Sequence, residues 1–434
     1  MTADKGPLTD EELEGIQFTT VQYYLHEINP YNGLVRDKTF PDAPASIAAC
    51  GMALATMPLF VERLLLPRTN IAQRVRNHLR YLWELPQGPE PDASGHHGFF
   101  YHFLHMGTGE RVWNCELSTI DSAFLFAGIL TCATYFDADD PIENDLRAYA
   151  TKLYERVDWN WACNGGAAVT HGWRPESGFI PHSWTGYDEA LILNLLGLGS
   201  PTHPLPAESY SAYTSTYKWG NVYGHEYLVC PPLFTYQLSH MWVDFRGIRD
   251  AVMRERGMDY FENSRRATYG HRAYCIANPN EFIGYGENCW GITACDGPGW
   301  EKKLAKNGRE VQFFDYIARG VPEGPDDGTI APWAVVASLP FAPEIVMPTI
   351  RHFESLDLGM LQPFGFKASF NRTYPGTTGP LGWVTPHHFG IDQGPIALMI
   401  ENYRSEFLWN LMRRCKPLVA GLRRAGFTGG WLDG

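Results

Sequence analysis

Carboxylates set beside aromatic residues or at helix-like starts recur at four places in the chain. The densest is Trp184-Thr185-Gly186-Tyr187-Asp188-Glu189-Ala190, a glycine-aromatic loop that enters a leucine-rich segment with two acids at its start. Glu116-Leu117-Ser118-Thr119-Ile120-Asp121 opens the apolar run Ala123-Phe124-Leu125, and Gly390-Ile391-Asp392-Gln393-Gly394-Pro395 leads into the last long apolar segment. The fourth acid, Asp296, stands in Thr293-Ala294-Cys295-Asp296-Gly297-Pro298. Acids from separate loops can share acid–base work when folding brings them together, one holding a proton for a leaving oxygen and the other activating water. Each also has a plain structural reading. Asp188 and Glu189 could cap a helix and complement its dipole; Ser118 with Asp121 at the third helical position is a good N-terminus. Asp392 could be purely structural, and Asp296 a turn former. Spacing alone leaves both readings open.

The aromatic residues point to the class of ligand. They make up 14% of the chain, with 14 Trp, and many sit beside Gly, Pro, His and Asp in loop-like stretches. Aromatic faces stack on the apolar faces of pyranose rings while polar neighbours take the hydroxyls. Trp173, Trp184, Tyr187, Trp290 and Trp383 are candidates, with Glu116, Asp121 and Asp296 as polar partners. His240 and Arg246, in Gln237-Leu238-Ser239-His240-Met241-Trp242-Val243-Asp244-Phe245-Arg246, also could contact a ligand. An interior histidine and an Arg246–Asp244 pair would explain them equally well. No Walker loop, His-Glu-x-x-His or Gly-x-Ser-x-Gly sequence occurs, and no acid or histidine cluster has metal-ligand spacing. No cofactor is expected.

The elements that must position these residues read as helices. Ile142, Leu146, Tyr149, Leu153 and Val157 step by three or four, with Asp140 as cap and Pro141 in the first turn. Similar patterns cover roughly 12–28, 45–64, 69–85, 119–135, 188–198, 229–241, 248–276, 330–337, 342–355 and 395–412. Strand-like alternation is scarce. With no linker or compositional break over 434 residues, one domain covering 1–434 is expected: an all-α (α/α)6 barrel of six helix pairs in two nested rings. The long connections 86–118, 158–186, 200–228 and 279–329 would form a central substrate cleft, since loops of that length usually serve function.

Composition narrows the partners. A formal charge of −13 without a basic run argues against tracking phosphates. Nine dispersed cysteines, without Cys-x-x-Cys, read as thiols rather than a disulfide framework or zinc site. The start Met1-Thr2-Ala3-Asp4-Lys5 has no apolar core, so neither signal peptide nor membrane helix is expected. A cytoplasmic protein fits, or a periplasmic or secreted one if a leader has been removed; neither nucleic acid nor membrane is an expected partner.

Taken together and in order, these segments resemble the glycoamylase-like proteins of glycoside hydrolase family 144, bacterial β-1,2-glucanases. The match includes Ser200-Pro201-Thr202-His203-Pro204, Trp290-Gly291-Ile292-Thr293-Ala294, Asp327-Gly328-Thr329-Ile330-Ala331-Pro332, and Ile391-Asp392-Gln393-Gly394-Pro395 followed by Met399-Ile400-Glu401-Asn402-Tyr403-Arg404. The resemblance implies an (α/α)6 barrel cleaving linear β-1,2-glucan with inversion and without a metal. By motif position, Glu189 takes the place of the general acid, Asp392 that of the carboxylate proposed as base, and Asp121 that of a further cleft acid. The two catalytic carboxyls would then lie roughly 6.5–9.5 Å or more apart. Where the family reads Gly-Phe-aromatic-Asp-Ala-Phe-Asn, this chain has Gly365-Phe366-Lys367-Ala368-Ser369-Phe370-Asn371, lacking the acid. Release of sophorose from chain ends, glycosyl transfer, cleavage of α-glucan and sugar binding without catalysis are the alternative readings.

Overall fold

A computed structural model of the chain describes residues 8–359, 362–376 and 379–434. The chain folds into two compact units, each assembled from three stretches. The first takes the described residues of 1–23, 218–241 and 260–406; the second is Tyr24–Tyr217, Trp242–Asp259 and Phe407–Gly434.

In the second unit, helices Ile47–Glu62 and Thr119–Tyr135 are apolar on nearly every side and almost wholly buried, as a helix without a polar face must be. They cross at glycines. A Cβ on Gly128 would stand 2.1 Å from the Gly51 carbonyl oxygen, and one on Gly51 would stand 2.3 Å from that of Phe124. Backbone therefore meets backbone, and only glycine allows it. Helices Arg68–Glu84 and Pro141–Glu155 instead bury a stripe, with Ile71, Val75, Leu79 and Leu82 on one and Leu146, Ala150 and Leu153 on the other. They pack together, tied by Arg68 Nε donating to Glu143 at 2.7 Å. Helix Leu191–Gly199 lies against Lys416–Arg424, where a Cβ on Gly421 would come within 1.8 Å of the Leu195 carbonyl oxygen. The expected caps form: Ser118 accepts from the Asp121 amide, and Asp140 from the Ile142 and Glu143 amides with Pro141 in the first turn.

In the first unit, helix Asp10–Val21 starts with a Thr9–Glu12 capping box and packs on Gly390–Ser405. Arg404 pairs with Asp10 at 2.6 Å, and Gln17 donates to Glu401 at 3.0 Å. Glu401 and Arg404, which belong to the sequence motifs above, thus join two helices. Gly390–Ser405 also supports Pro332–Ala337, which continues into Pro343–Ser355. Helix Tyr260–Ala277 packs on the hairpin Trp219–Val222/His225–Leu228. The strands throughout are two to four residues long and belong to connections between helices.

Several boundaries differ from the sequence expectation. The 229–241 segment forms two 3-10 turns, Leu233–Tyr236 and Ser239–Met241; Pro231 and Pro232 keep a helix from running in from 229. The 248–276 segment breaks at Gly257, whose φ of +66° ends Ala251–Arg256 before Tyr260–Ala277 begins. Pro395 does not start its helix: the helix begins at Gly390, so Asp392 lies in its first turn and Pro395 within it. That helix ends at Ser405, with Glu406 left-handed at φ +56°, and Phe407–Met412 resumes. Likewise, 12–28 comprises Asp10–Val21 and Tyr23–His26. Helix Ser209–Thr214 falls in the expected 200–228 loop, and Lys416–Arg424 was not anticipated. All nine cysteines are thiols, eight of them buried and Cys230 half-buried. Among the described residues, no helix is long and apolar enough to cross a membrane.

Candidate active site

The Trp184–Glu189 loop is held at both ends. Trp184 donates its amide to Val169 at 2.8 Å and its indole to Thr119 Oγ1 at 3.0 Å, and its ring stacks 4.0 Å from His171. Gly186 turns at φ +100° and donates to the Tyr213 carbonyl at 2.8 Å. The Tyr213 hydroxyl donates to the Asp188 carbonyl at 3.1 Å. Asp188 Oδ1 accepts from the Ala190 amide at 2.9 Å, so this carboxylate shapes the turn. The helix that follows has Ala190 as its N-cap and no side-chain cap bond; Glu189 is not its cap. Burial raises the proton affinity of both half-buried acids, and the charges of Asp188 and then Asp121 raise that of Glu189 further.

Asp121, 7% exposed, occupies the first turn of Thr119–Tyr135 and accepts from the Ser118 hydroxyl. His102 stands between two acids. Its Nδ1 is 2.9 Å from Glu116 Oε1, and its Nε2 is 3.7 Å from Asp121 Oδ2. Arg174 holds the other Glu116 oxygen at 3.2 Å. Burial alone would lower the His102 pKa, but the charges of Asp121 and Glu116 outweigh it and push it up to about 9. The His102 hydrogen bond in turn holds Glu116 down at about 2. Trp173 is paired in register with Leu117, next to Glu116, and its ring lies 4.9 Å from His96. Tyr187 is buried edge-on to Tyr217. The second unit therefore gathers Glu116, Asp121, Trp173, Trp184, Tyr187 and Glu189.

In the first unit, Asp392 is 6% exposed and its amide donates to the Phe389 carbonyl at 3.2 Å. An acid in the first turn suits the positive end of the helix dipole. Asp296, 9% exposed, accepts from Thr385 Oγ1 at 3.2 Å. The negative charges of Asp392 and Asp296 both act on Cys295, whose thiol burial already pushes up to about 12. Beneath them lies a sealed ion pair. Arg319 donates to both Asp327 oxygens at 2.8 and 2.9 Å, both side chains are 0% exposed, and Arg319 also binds the Cys295, Phe314 and Asp315 carbonyls.

The remaining candidates have structural surroundings. Trp290 is fully buried and donates its indole to Thr349 at 2.9 Å. Trp383 is half-buried against the Phe282, Phe313 and Tyr374 cluster. His240 is buried with Nε2 2.9 Å from Ser264 Oγ and its ring edge-on to Phe341. In the second unit, Arg246 binds both oxygens of Asp244 at 2.8 and 2.9 Å and lies over Trp409. These are the interior-histidine and ion-pair arrangements that the sequence left open. Ser369, next to Ala368 where the family motif carries an acid, donates to the Asp296 carbonyl at 2.8 Å. His102 and the Arg319–Asp327 pair carry no signal in the sequence, since their partners lie 14 and 8 residues away, outside cap or helix spacing. Among the described residues, no group of three or more His, Cys, Asp or Glu is placed to hold a metal.

Residues 181–416 match the family described as "Putative glucoamylase", a range holding Glu189 and Asp392. The chain is 27% identical over 461 residues to an exo β-1,2-glucooligosaccharide sophorohydrolase (non-reducing end) of Parabacteroides distasonis. That alignment covers 98% of this chain and 59% of the relative, so the chain spans about three-fifths of that protein's length. A Bacteroides uniformis structure carrying the same description as the family is similar at TM-score 0.85 and 31% identity, covering 99% of this chain and 100% of that one. An endo-β-1,2-glucanase from Chitinophaga pinensis, solved with sophorotriose and glucose, is similar at TM-score 0.83 and 26% identity, covering 97% and 99%. The expected fold class, an all-α (α/α)6 barrel, holds. With its family match over more than half its length and its structural likeness over nearly all of it, the chain belongs to the glucoamylase-like family, of the glycoside hydrolase family 144 type.

Proposed function

We propose that the chain is a glycoside hydrolase that cleaves β-1,2-glucan to short oligosaccharides, acting within the chain and inverting the anomeric centre. Glu189 is the general acid and Asp392 the base that activates water. The observation that carries the reading is the state of Glu189: a half-buried carboxyl whose proton is held by burial and by the neighbouring charges of Asp188 and Asp121. Glycosidic cleavage needs such a proton at the leaving oxygen. Asp392 takes its role from the motif resemblance. The bacterial β-1,2-glucan enzymes among the relatives supply the substrate class. A base that activates water forms no glycosyl-enzyme intermediate, which favours hydrolysis over transfer.

A second reading, release of sophorose from chain ends, is favoured by the sophorohydrolase relative that aligns with 98% of this chain. Incubation with β-1,2-glucan, β-1,3-glucan and starch separates the possibilities. Mixed short products from β-1,2-glucan alone support the endo reading; sophorose as sole early product supports the exo one. Cleavage of starch, or of nothing, would overturn the proposal. Anomer-resolved NMR of the first products should show inversion; retention would remove Asp392 as a water-activating base, and retention with transfer to added gluco-oligomers would reassign the chain to glycosyl transfer.

A further inference from the structure

The turn Val112-Trp113-Asn114-Cys115 is built against its own sequence. It closes with the Cys115 amide donating to the Val112 carbonyl at 3.1 Å, and its central residues, Trp113 and Asn114, have φ of +59° and +49°. Two successive positive φ values are the signature of a type I′ turn, which favours Asn-Gly. Asn tolerates the left-handed region; a tryptophan does so poorly. Burial does not explain the choice, since Trp113 is 66% exposed.

The turn is rigidly connected to the acids. The Val112 amide donates to the Phe103 carbonyl at 3.2 Å, and the His102 amide to that of Glu116 at 2.9 Å, so 102–104 and 111–116 run as a short ladder. Across it the Trp113 ring meets Phe103 at 5.2 Å, and the Phe103 ring stacks on His102 at 3.9 Å. His102 bonds Glu116 and faces Asp121, whose charge acts on Glu189. An exposed indole thus begins a line of rings that ends at the proposed general acid's neighbours.

We infer that Trp113 is a sugar-stacking residue for the glucan chain, contacting a glucosyl unit away from the bond that is cleaved and so setting chain-length preference. The inference rests on the hydrolase reading. An indole face covers the C–H face of a pyranose, and a strained turn keeps that face in solvent until substrate arrives. Binding that is equal in ground and transition states alters KM and leaves kcat.

Two measurements test it. With β-1,2-gluco-oligosaccharides of increasing length, W113A should raise KM by about 3- to 10-fold for long substrates, in line with the worth of one ring contact, with kcat within about 2-fold. The shortest cleaved substrate should be affected least, and W113F should largely restore binding. Acrylamide quenching of tryptophan fluorescence should show one indole shielded by oligosaccharide in the wild type and absent in W113F, a readout that stands even if W113A fails to fold. Cleavage by the wild type without this shielding, or equal KM changes at all lengths, would overturn the inference. Shielding without cleavage would support the contact and remove the hydrolase reading; neither binding nor cleavage would remove both.

Discussion

Two carboxylate groups withdrawn from water, one wholly and one in part, have opposite surroundings in this chain. Asp327, in the first unit, is sealed from water and met by a bidentate guanidinium, with backbone amides of Phe314 and Thr329 on the same oxygens at 3.0 and 3.1 Å. Asp188 and Glu189, in the second, lie half-buried next to one another, and the charges that act on Glu189 are those of Asp188 and Asp121. The first group is met by a cation and amide donors; in the second, burial and neighbouring negative charge favour the protonated form. A carboxylate tied to a guanidinium anchors structure, whereas one crowded by its own kind can act as an acid near neutral pH. Sequence motifs contain both, and only the surroundings separate them.

The contrast breaks if Glu189→Gln retains activity. The substitution should leave folding intact and reduce turnover of β-1,2-glucan by about two to four orders of magnitude, the usual size of acid–base contributions. Arg319→Met should do the reverse, lowering stability in denaturant titration by about 3–5 kcal/mol by stranding a buried charge; a midpoint near wild type would show that Asp327 is not held as described. Asp188→Asn sharpens the comparison. Removing the negative neighbour lowers the proton affinity of Glu189, so the basic limb of the kcat/KM profile should move to lower pH, and an unmoved limb would exclude Asp188 as a cause. Folding stability should follow the same sign: with its folded pKa raised above 4.5, Glu189 favours the native state at low pH and loses that contribution as pH rises through the folded value.

The smallest effect expected is at His102, which faces Glu116, Asp121 and Asp37. Its folded pKa of about 9 exceeds the ordinary 6.5, so its stabilisation is complete below pH 6.5 and is lost as pH rises through about 9. Glu116, held down at about 2, contributes above pH 4.5 and loses this as pH falls through about 2. His102→Gln should flatten the thermal stability profile between pH 6.5 and 9, and an unchanged slope there would remove the ion-pair assignment.

Local signals in the sequence carried far. Asp140-Pro141 and Ser118 with Asp121 marked two helix starts because caps act within three residues. Helical periodicity found the amphipathic Pro141–Glu155 for the same reason. What failed to show depended on distant partners or on a single residue's backbone angle. Gly257 divides a continuous apolar pattern, and the helix expected to begin at Pro395 begins at Gly390 instead. Glu189 and Asp392 are proposed from motif position; His102 carries no such signal, since only the ladder between 102–104 and 111–116 brings it to Glu116.

The buried cysteines carry a practical consequence. Burial pushes the thiols of Cys50, Cys115, Cys132, Cys163, Cys275, Cys289, Cys295 and Cys415 above their usual range, which suppresses the thiolate that reacts with electrophiles. Cys230 alone is half-exposed. A maleimide dye added to the native protein should therefore mark one position on the 218–241 segment, giving a fluorescent reporter of the first unit without replacing any cysteine.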